Sequence, residues 1–394
     1  MSDNPRRDLL KYGAAAAGGL LILNPKTAFT YQANSTLELG LIGCGSRGNW
    51  ISDLFLEYAL VRFVSLADAL SEPLQKAQAK YKVDGARCFK GVNAYRDLVA
   101  SKLDGVVIES PPYFHPEHAE AAVNAGKHVY MAKPVATDVP GCKSVLASGE
   151  KAKGKLSYLV DFQTRVRPVF QEAARRMHEG QIGDPVFGHV YYHAGQVPVQ
   201  KPGPSLTSEE AMLQQWLHDR RLSGDIIVEQ NIHVIDVANW YLNGHPLKAI
   251  GTGGRKARLV GDTWDHYQVT YWYPNDVKVD FSSVQFAKGY SDLCIRMYGS
   301  KGTLDSHYGG FLKITGEKPW DGAEKDPTFR EGAVTNLKNW VASIKDGKPM
   351  NNAEESVRSN LTAILGRMAA NRGRMVTWDE MMPTTDRFDG KLKG

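Results

Sequence analysis

The 394-residue chain reads as an α/β protein in two parts. A doubly wound, mostly parallel sheet comes first, followed by an α+β region with a large, mostly antiparallel open sheet. Two observations predict this. From Leu37 to Asp161 short apolar runs alternate with helical patterns, as parallel strands joined by crossover helices require. From Val186 to Tyr298 strand-like runs cluster instead, which suits antiparallel neighbours. At about 100–200 residues per domain the length agrees with two domains, placed at 37–160 and 161–380.

Composition narrows the class. An apolar share of 42%, a charged share of 23% and a mean hydropathy of −0.36 exclude a polytopic membrane protein and a disordered chain. Lys+Arg 48 against Asp+Glu 43 gives +5, spread too evenly for the basic stripe of a nucleic-acid binder. Cys44, Cys88, Cys142 and Cys294 lack CxxC spacing and are read as free, mostly buried thiols.

Residues 1–33 read as a Tat-type export signal. Arg6 and Arg7 form a twin-arginine run, the weakly apolar Tyr12–Leu23 stretch follows, and then come Pro25 and small polar residues. That stretch is short of the ~20 apolar residues that span a bilayer. The expectation is a folded protein handed to the Tat translocase, periplasmic or otherwise exported, with no membrane attachment after signal cleavage.

The strand Leu37–Ile42 runs into Gly43-Cys-Gly45-Ser46-Arg47-Gly48, which fits GxGxxG, and Asn49–Tyr58 continues as a helix. Strand, glycine turn and helix in that order make a Rossmann-type dinucleotide site. Gly43 allows the tight turn, Gly45 lets backbone N–H groups approach a pyrophosphate, and Gly48 allows close helix packing. The next strand, Val61–Ala67, ends at Asp68, 20 residues past Gly48. A carboxylate there accepts ribose hydroxyls and repels a 2′-phosphate, so NAD is favoured over NADP.

Further units follow. Leu103–Ile108 is a buried strand, and Ser110, Pro111 and His115 lie in the loop at its ligand edge. Pro116–Ala125 is helical, and His128–Met131 is a strand running into Ala132-Lys133-Pro134.

These pieces resemble the glucose-fructose oxidoreductase and inositol 2-dehydrogenase family (Gfo/Idh/MocA). Gly43–Gly48, Ser110-Pro111-x-x-x-His115 and Ala125-Gly-Lys-His-Val-Tyr-Met-Ala-Lys-Pro134 match, the last paralleling AGKHVxxEKP. The likeness extends from Leu37 to about Asp379. It implies that Lys133 sits beside nicotinamide and substrate, where desolvation and nearby charge let a lysine assist proton transfer. One departure in these pieces matters: Ala132 stands where the motif has Glu.

Beyond Leu156–Asp161 the second part begins. Pro168–Glu179 is an amphipathic helix. Val186–His193, Lys248–Thr252, Tyr267–Tyr273, Lys278–Gln285 and Asp292–Tyr298 read as strands, with a turn at Asn275-Asp276. The resemblance implies that one face of this sheet packs on the cofactor domain and the other forms homo-oligomer contacts.

A second constellation lies between the strands. Ser223 to Trp240 reads as one helix carrying Glu229, His233 and Asp236 at i, i+4 and i+7, hence on one face. It resembles the family's DxGxHxxD segment, with Glu229 for the first Asp and Asn231 for Gly. A histidine near neutral pKa can take a hydroxyl proton while the carbon gives up hydride, and Glu229 can orient it or bind hydroxyls. His and carboxylates at helical spacing also suit zinc, but no HExxH or Cys pair completes a site, so no metal is expected.

Candidate sugar contacts are Gln163 and Arg165 after the last strand of the first part, Trp216, His218 and Asp219 in a polar-aromatic patch, Asp236, and His266. Aromatic faces and acids suit a pyranose. The Gly195–Leu222 stretch, with Pro198, Pro202 and Pro204, reads as an irregular loop that can act as a lid. Phe329–Asp346 and Glu354–Arg372 read as structural helices, with Trp340 and Met368 in the core. The resemblance implies that these helices return toward the first part.

Three functions compete. The leading one is an NAD-dependent oxidoreductase that interconverts a secondary hydroxyl and a ketone of a sugar or glycoside, with Lys133, His233 and Glu229 as the catalytic groups and a tightly held cofactor. The alternative, implied by relatives of the same kind, is an NAD-dependent glycoside hydrolase working through transient ring oxidation and elimination. The third is an inactive sugar- or nucleotide-binding protein.

Overall fold

The computed structural model describes residues Thr36–Gly390, so the twin-arginine segment lies outside the described residues. Among the described residues no helix is long and apolar enough to cross a membrane.

Strands β1 (Leu37–Ile42), β2 (Val61–Asp68), β3 (Cys88–Lys90), β4 (Gly105–Ile108), β5 (His128–Met131) and β6 (Tyr158–Val160) form one parallel sheet in the order β3-β2-β1-β4-β5-β6. The apolar runs are buried on both faces because helices cover both; Leu39, Leu41, Val106 and Val107 are fully shielded. The strand order reverses between β1 and β4, and at such a switch point the flanking loops part to leave a crevice at the strands' carboxyl ends.

The second sheet comprises β7 (Pro185–Ala194), β8 (Lys248–Gly254), β9 (His266–Trp272), β10 (Lys278–Gln285), β11 (Asp292–Gly299), β12 (Gly302–His307), β13 (Leu312–Gly316), β14 (Trp320–Ala323) and β15 (Val376–Thr377). Its order is β14-β13-β12-β11-β7-β10-β9-β8-β15, antiparallel throughout except for the β7–β10 pair. The β9–β10 hairpin turns at Asn275 and Asp276, both in the left-handed region, at φ 59° and 60°. Strands β12–β14 and β15 were not foreseen; the first three are short and glycine-containing, β15 is only two residues long, and all borrow stability from neighbours.

One face of this sheet buries Val190, Ile295, Met297 and Phe281. The other carries Phe187, His189, Tyr191 and His193 from β7, with ring contacts at 5.0 and 4.8 Å. The helix Thr328–Lys345 returns to the parallel sheet, where fully buried Trp340 meets Phe55 and Tyr130 edge-on at 5.8 Å each. The helix Ala353–Arg372 ties the two parts together. Asn360 accepts from Val135 N at 3.0 Å, and Arg367 donates to Thr137 O at 2.8 Å and Gly224 O at 2.5 Å.

The stretch 195–222 is only partly irregular. It contains the helix Ser208–Gln214, started by a reciprocal capping box between Thr207 and Glu210. All four cysteines are free, and Cys88 is the one not fully buried.

Candidate active site

The crevice is a cleft of about 880 Å³. Its floor is the turn between β1 and the helix Ser46–Tyr58. Gly43 has φ +92°, and a Cβ there would come within 2.6 Å of Ser110 N; a Cβ at Gly48 would fall 1.9 Å from Gly43 O. Gly45 faces open space, as a position that admits a ligand to the backbone should. The 13-residue helix points its unpaired first-turn N–H groups, including those of Ser46 and Arg47, toward the cleft.

Asp68 closes the far side. Its carboxylate accepts from Cys44 N and Leu70 N, both at 2.7 Å. Burial raises its pKa above the usual carboxylate value, with those two bonds opposing the rise. Each oxygen keeps a lone pair for a ribose hydroxyl. The cleft wall also includes Lys76 and Lys90, cations the sequence spacing did not bring near Asp68. Both are already paired, Lys76 with Glu72 at 2.5 Å and Lys90 with Glu210 at 3.3 Å.

At the other end, Arg47 bends away from the helix start. Its Nε donates to Glu109 Oε2 at 3.2 Å and its Nη2 to Asp161 Oδ2 at 2.5 Å, so it locks the ends of β1, β4 and β6 together. Asp161 takes further bonds from Gln163 Nε2 at 2.9 Å and Asn336 Nδ2 at 2.8 Å.

Past Glu109 lie the groups with acid–base chemistry. The segment read as one helix is two, Ile226–Glu229 and Ile232–Tyr241. Asn231 N reaches back five residues to Ile226 O, and His233 N turns to Gln230 O instead of Glu229 O. The Glu229 carbonyl is thereby left without an intrahelical donor. Lys133 Nζ fills it, donating both to Glu229 O and to Glu229 Oε1, the latter at 3.1 Å. The break thus gives Lys133 its anchor, which a continuous helix would not have offered. Two of three ammonium N–H bonds are used and one is uncommitted.

His233 is half-buried beside this pair, its ring 5.4 Å from that of Tyr308. Its Nδ1 has no hydrogen-bond partner. Burial, then the positive charges of Lys133 and Arg47, push its pKa well below 6.5, not near neutrality as the sequence suggested. Both effects favour the neutral imidazole, the form that can accept a proton.

A family model described as an oxidoreductase family with an NAD-binding Rossmann fold matches residues 37–160, and the GFO/IDH/MocA C-terminal domain matches residues 170–305. The chain belongs to this family. An inositol 2-dehydrogenase of Salmonella typhimurium is 28% identical over 211 residues, 53% of this chain and 55% of the relative, so the match spans about half of that protein. Inositol 2-dehydrogenase 2 of Saccharopolyspora erythraea is 26% identical over 79% of this chain and 86% of its own length. Among solved structures, an aldose-aldose oxidoreductase from Caulobacter crescentus (TM-score 0.69, 18% identity) covers 87% of this chain and 100% of its own. A levoglucosan dehydrogenase complexed with NADH (TM-score 0.68, 19% identity) covers 87% and 99%. At these identities the structures show a shared fold.

Within this GFO/IDH/MocA frame the remaining sequence candidates divide. Ser110 and Pro111 line the cleft, although the Ser110 hydroxyl is bonded to His118 Nδ1 at 3.0 Å. His115 does not face it. Its ring nitrogens sit 2.7 Å from Ser110 O and Pro134 O, bracing the two loops at the sheet edge, and burial lowers its pKa to about 4. Arg165 and Asp236 are taken up by each other: Arg165 Nε reaches both carboxylate oxygens of Asp236 at 3.1 and 2.9 Å, and Ser359 Oγ adds a bond at 2.7 Å. Trp216 stands on the wall of the nucleotide cleft, packed with Phe114 and Leu222, not among the sugar-side groups.

Asp219 caps the short helix Arg220–Ser223 and pairs with Arg221, while His218 is buried beneath the Gly261 turn. His266 is held through Nδ1 by Asp265 at 2.7 Å and keeps its other edge exposed. Gln163 reaches the centre indirectly, receiving Tyr308 OH at 3.3 Å.

Sequence reasoning missed Glu109, Asp161 and Tyr308. The first two carry a legible signal, an acid placed where a buried apolar strand ends at the ligand edge. Tyr308 carries none, since only the fold of β11–β12 brings it to His233. From the 195–222 stretch, read as an irregular loop able to act as a lid, Gln200, Gly203, Ser205, Leu206 and Trp216 line the cleft.

Proposed function

We propose that this chain transfers hydride between NAD and a secondary hydroxyl of a sugar, polyol or glycoside. The observation that carries the reading is the convergence of Lys133, Glu229 and a half-unpartnered His233 within electrostatic reach of Arg47 and Glu109, two residues that line the glycine-floored cleft. The cleft suits a dinucleotide by its own shape: added methyls at Gly43 and Gly48 would collide with backbone, and Asp68 presents a carboxylate to a ribose. Bound there, NAD would supply the hydride acceptor.

The protein's groups do the rest. Glu229 fixes the Lys133 ammonium, whose remaining N–H polarises the reacting hydroxyl. His233, with Nδ1 unpartnered and its neutral form favoured, accepts the hydroxyl proton as the carbon loses hydride. Arg47, clamped by Glu109 and Asp161, keeps positive potential near the ring end without contacting substrate. The named activities of inositol 2-dehydrogenase relatives support this class of substrate. Asp68 supports NAD over NADP. The twin-arginine segment supports export through the Tat pathway, where a tightly held cofactor makes sense because no soluble pool replaces it. The aromatic face of the second sheet is the surface we assign to contacts between copies.

The test is to incubate purified protein and NAD with inositols, aldoses and glycosides, following nicotinamide absorbance, ketosugar and released aglycone. Absorbance change with ketone formation is the expected result. Aglycone release without accumulated ketosugar would select the hydrolytic pathway, and silence across the panel would favour a binding protein. Lys133→Met and His233→Ala should each lower turnover by about 10²–10⁴-fold.

A further inference from the structure

Among the described residues, Glu109 is a buried carboxyl with one oxygen left unpaired. Strands β4 and β5 run parallel with Ile108 opposite Met131, and Ala132 N continues the ladder to Ile108 O at 2.9 Å. Glu109 therefore lies directly across from Ala132. Position 132 is where the AGKHVxxEKP motif has its acid and this chain has a methyl. A carboxyl is absent on one strand end and present on its neighbour.

The side chain is fully buried on the wall of the cleft. Its backbone lies against the glycine turn, where a Cβ on Gly43 would touch Glu109 O at 2.7 Å. Oε2 is bonded to Arg47, but Oε1 has no partner at all. Arg47 has its other contact on Asp161 and so leaves Oε1 unserved. Buried polar atoms in folded proteins are almost always paired, and an orphan on a ligand cleft calls for a donor that arrives with the ligand. Following a dinucleotide from Asp68 over the glycine turn toward Lys133, the hydroxyl-bearing unit beyond the pyrophosphate is the nicotinamide-side ribose.

We propose that Glu109 holds the hydroxyls of the nicotinamide-side ribose, a carboxylate carried on β4 where the motif carries it on β5. The inference rests on the dinucleotide reading above. It assigns Glu109 the counterpart of the Asp68 role at the opposite end of the cofactor, so the two acids grip the two riboses.

The experiment compares NAD with ADP, which has only the adenosine half, by calorimetric titration of nucleotide-stripped protein. Glu109→Ala should weaken NAD about tenfold and leave ADP unchanged, whereas Asp68→Ala should weaken both. Adding Ala132→Glu to Glu109→Ala should restore NAD affinity. Equal weakening of NAD and ADP by Glu109→Ala would mean that Glu109 only props Arg47, and unchanged NAD affinity or no restoration by Ala132→Glu would likewise overturn the proposal. Wild-type protein binding neither nucleotide would overturn the dinucleotide reading itself, a separate failure.

Discussion

Replacing Glu109 by Gln should make the nucleotide-free protein more stable at neutral and alkaline pH. Burial raises the Glu109 carboxyl from its ordinary 4.5 to about 7, Asp161 adds to the rise, and Arg47 and Lys133 oppose it. Tyr130 is the remaining titratable neighbour, and it stays neutral because burial raises its own pKa. A raised carboxyl pKa means that the fold prefers the protonated acid. Its favourable contribution is complete below about pH 4.5 and is lost as pH climbs through about 7. At about 1.36 kcal/mol per pH unit, that gap corresponds to about 3 kcal/mol of destabilisation once the group is ionised. Gln keeps an acceptor for Arg47 and never ionises. Urea unfolding of both proteins should therefore give similar stabilities near pH 4.5 and a variant ahead by about 3 kcal/mol near pH 8. Saturating NAD should narrow that lead, because ribose hydroxyls would satisfy the charged form. A difference that is constant with pH, or a variant weaker at pH 8, would refute the reasoning.

Other outcomes follow from the same geometry. Gly48→Ala places a methyl 1.9 Å from Gly43 O and should abolish NAD binding in a titration while circular dichroism shows the chain still folded. Because His233 is held neutral well below 6.5, kcat at saturating NAD should stay level as pH falls through the ordinary histidine range; a steep loss centred near 6.5 would contradict its buried setting. Removing one partner of the largely buried Arg165–Asp236 pair, as in Asp236→Ala, should cost about 3 kcal/mol in urea unfolding. The NAD dissociation constant should be unchanged, whereas a direct substrate contact would raise KM for sugar with no loss of stability.

Much of the fold is legible because its signals are local. Leu37–Ile42, Gly43–Gly48 and Asp68 fall in one continuous stretch, and each residue type answers a steric or electrostatic demand met within that stretch. The same holds for Lys133, pinned by the strand before it and the Pro after it. What failed was reasoning from ideal periodicity across a break. Glu229, His233 and Asp236 share a face only if the helix is continuous, and the Asn231-to-Ile226 bond interrupts it, sending Asp236 to Arg165 instead.

Pairings between distant segments were equally hidden. Nothing local to Arg165, His115 or Trp216 says that each would be claimed by Asp236, by two loop carbonyls, or by the nucleotide wall. The Glu109–Arg47–Asp161 cluster joins three strand ends that are adjacent only in the folded sheet. Strands β12–β14 share this limit, since their glycines and short runs gain strand character only from successive pairing outward from β11.

Native mass spectrometry of the purified chain offered NAD and NADP bears most directly on the central claim. One NAD per chain is the predicted result, retained by wild type and lost from Gly48→Ala, with NADP held less well. A chain that takes up neither nucleotide, or that keeps NAD after the glycine turn is filled, would contradict the assignment of the cleft.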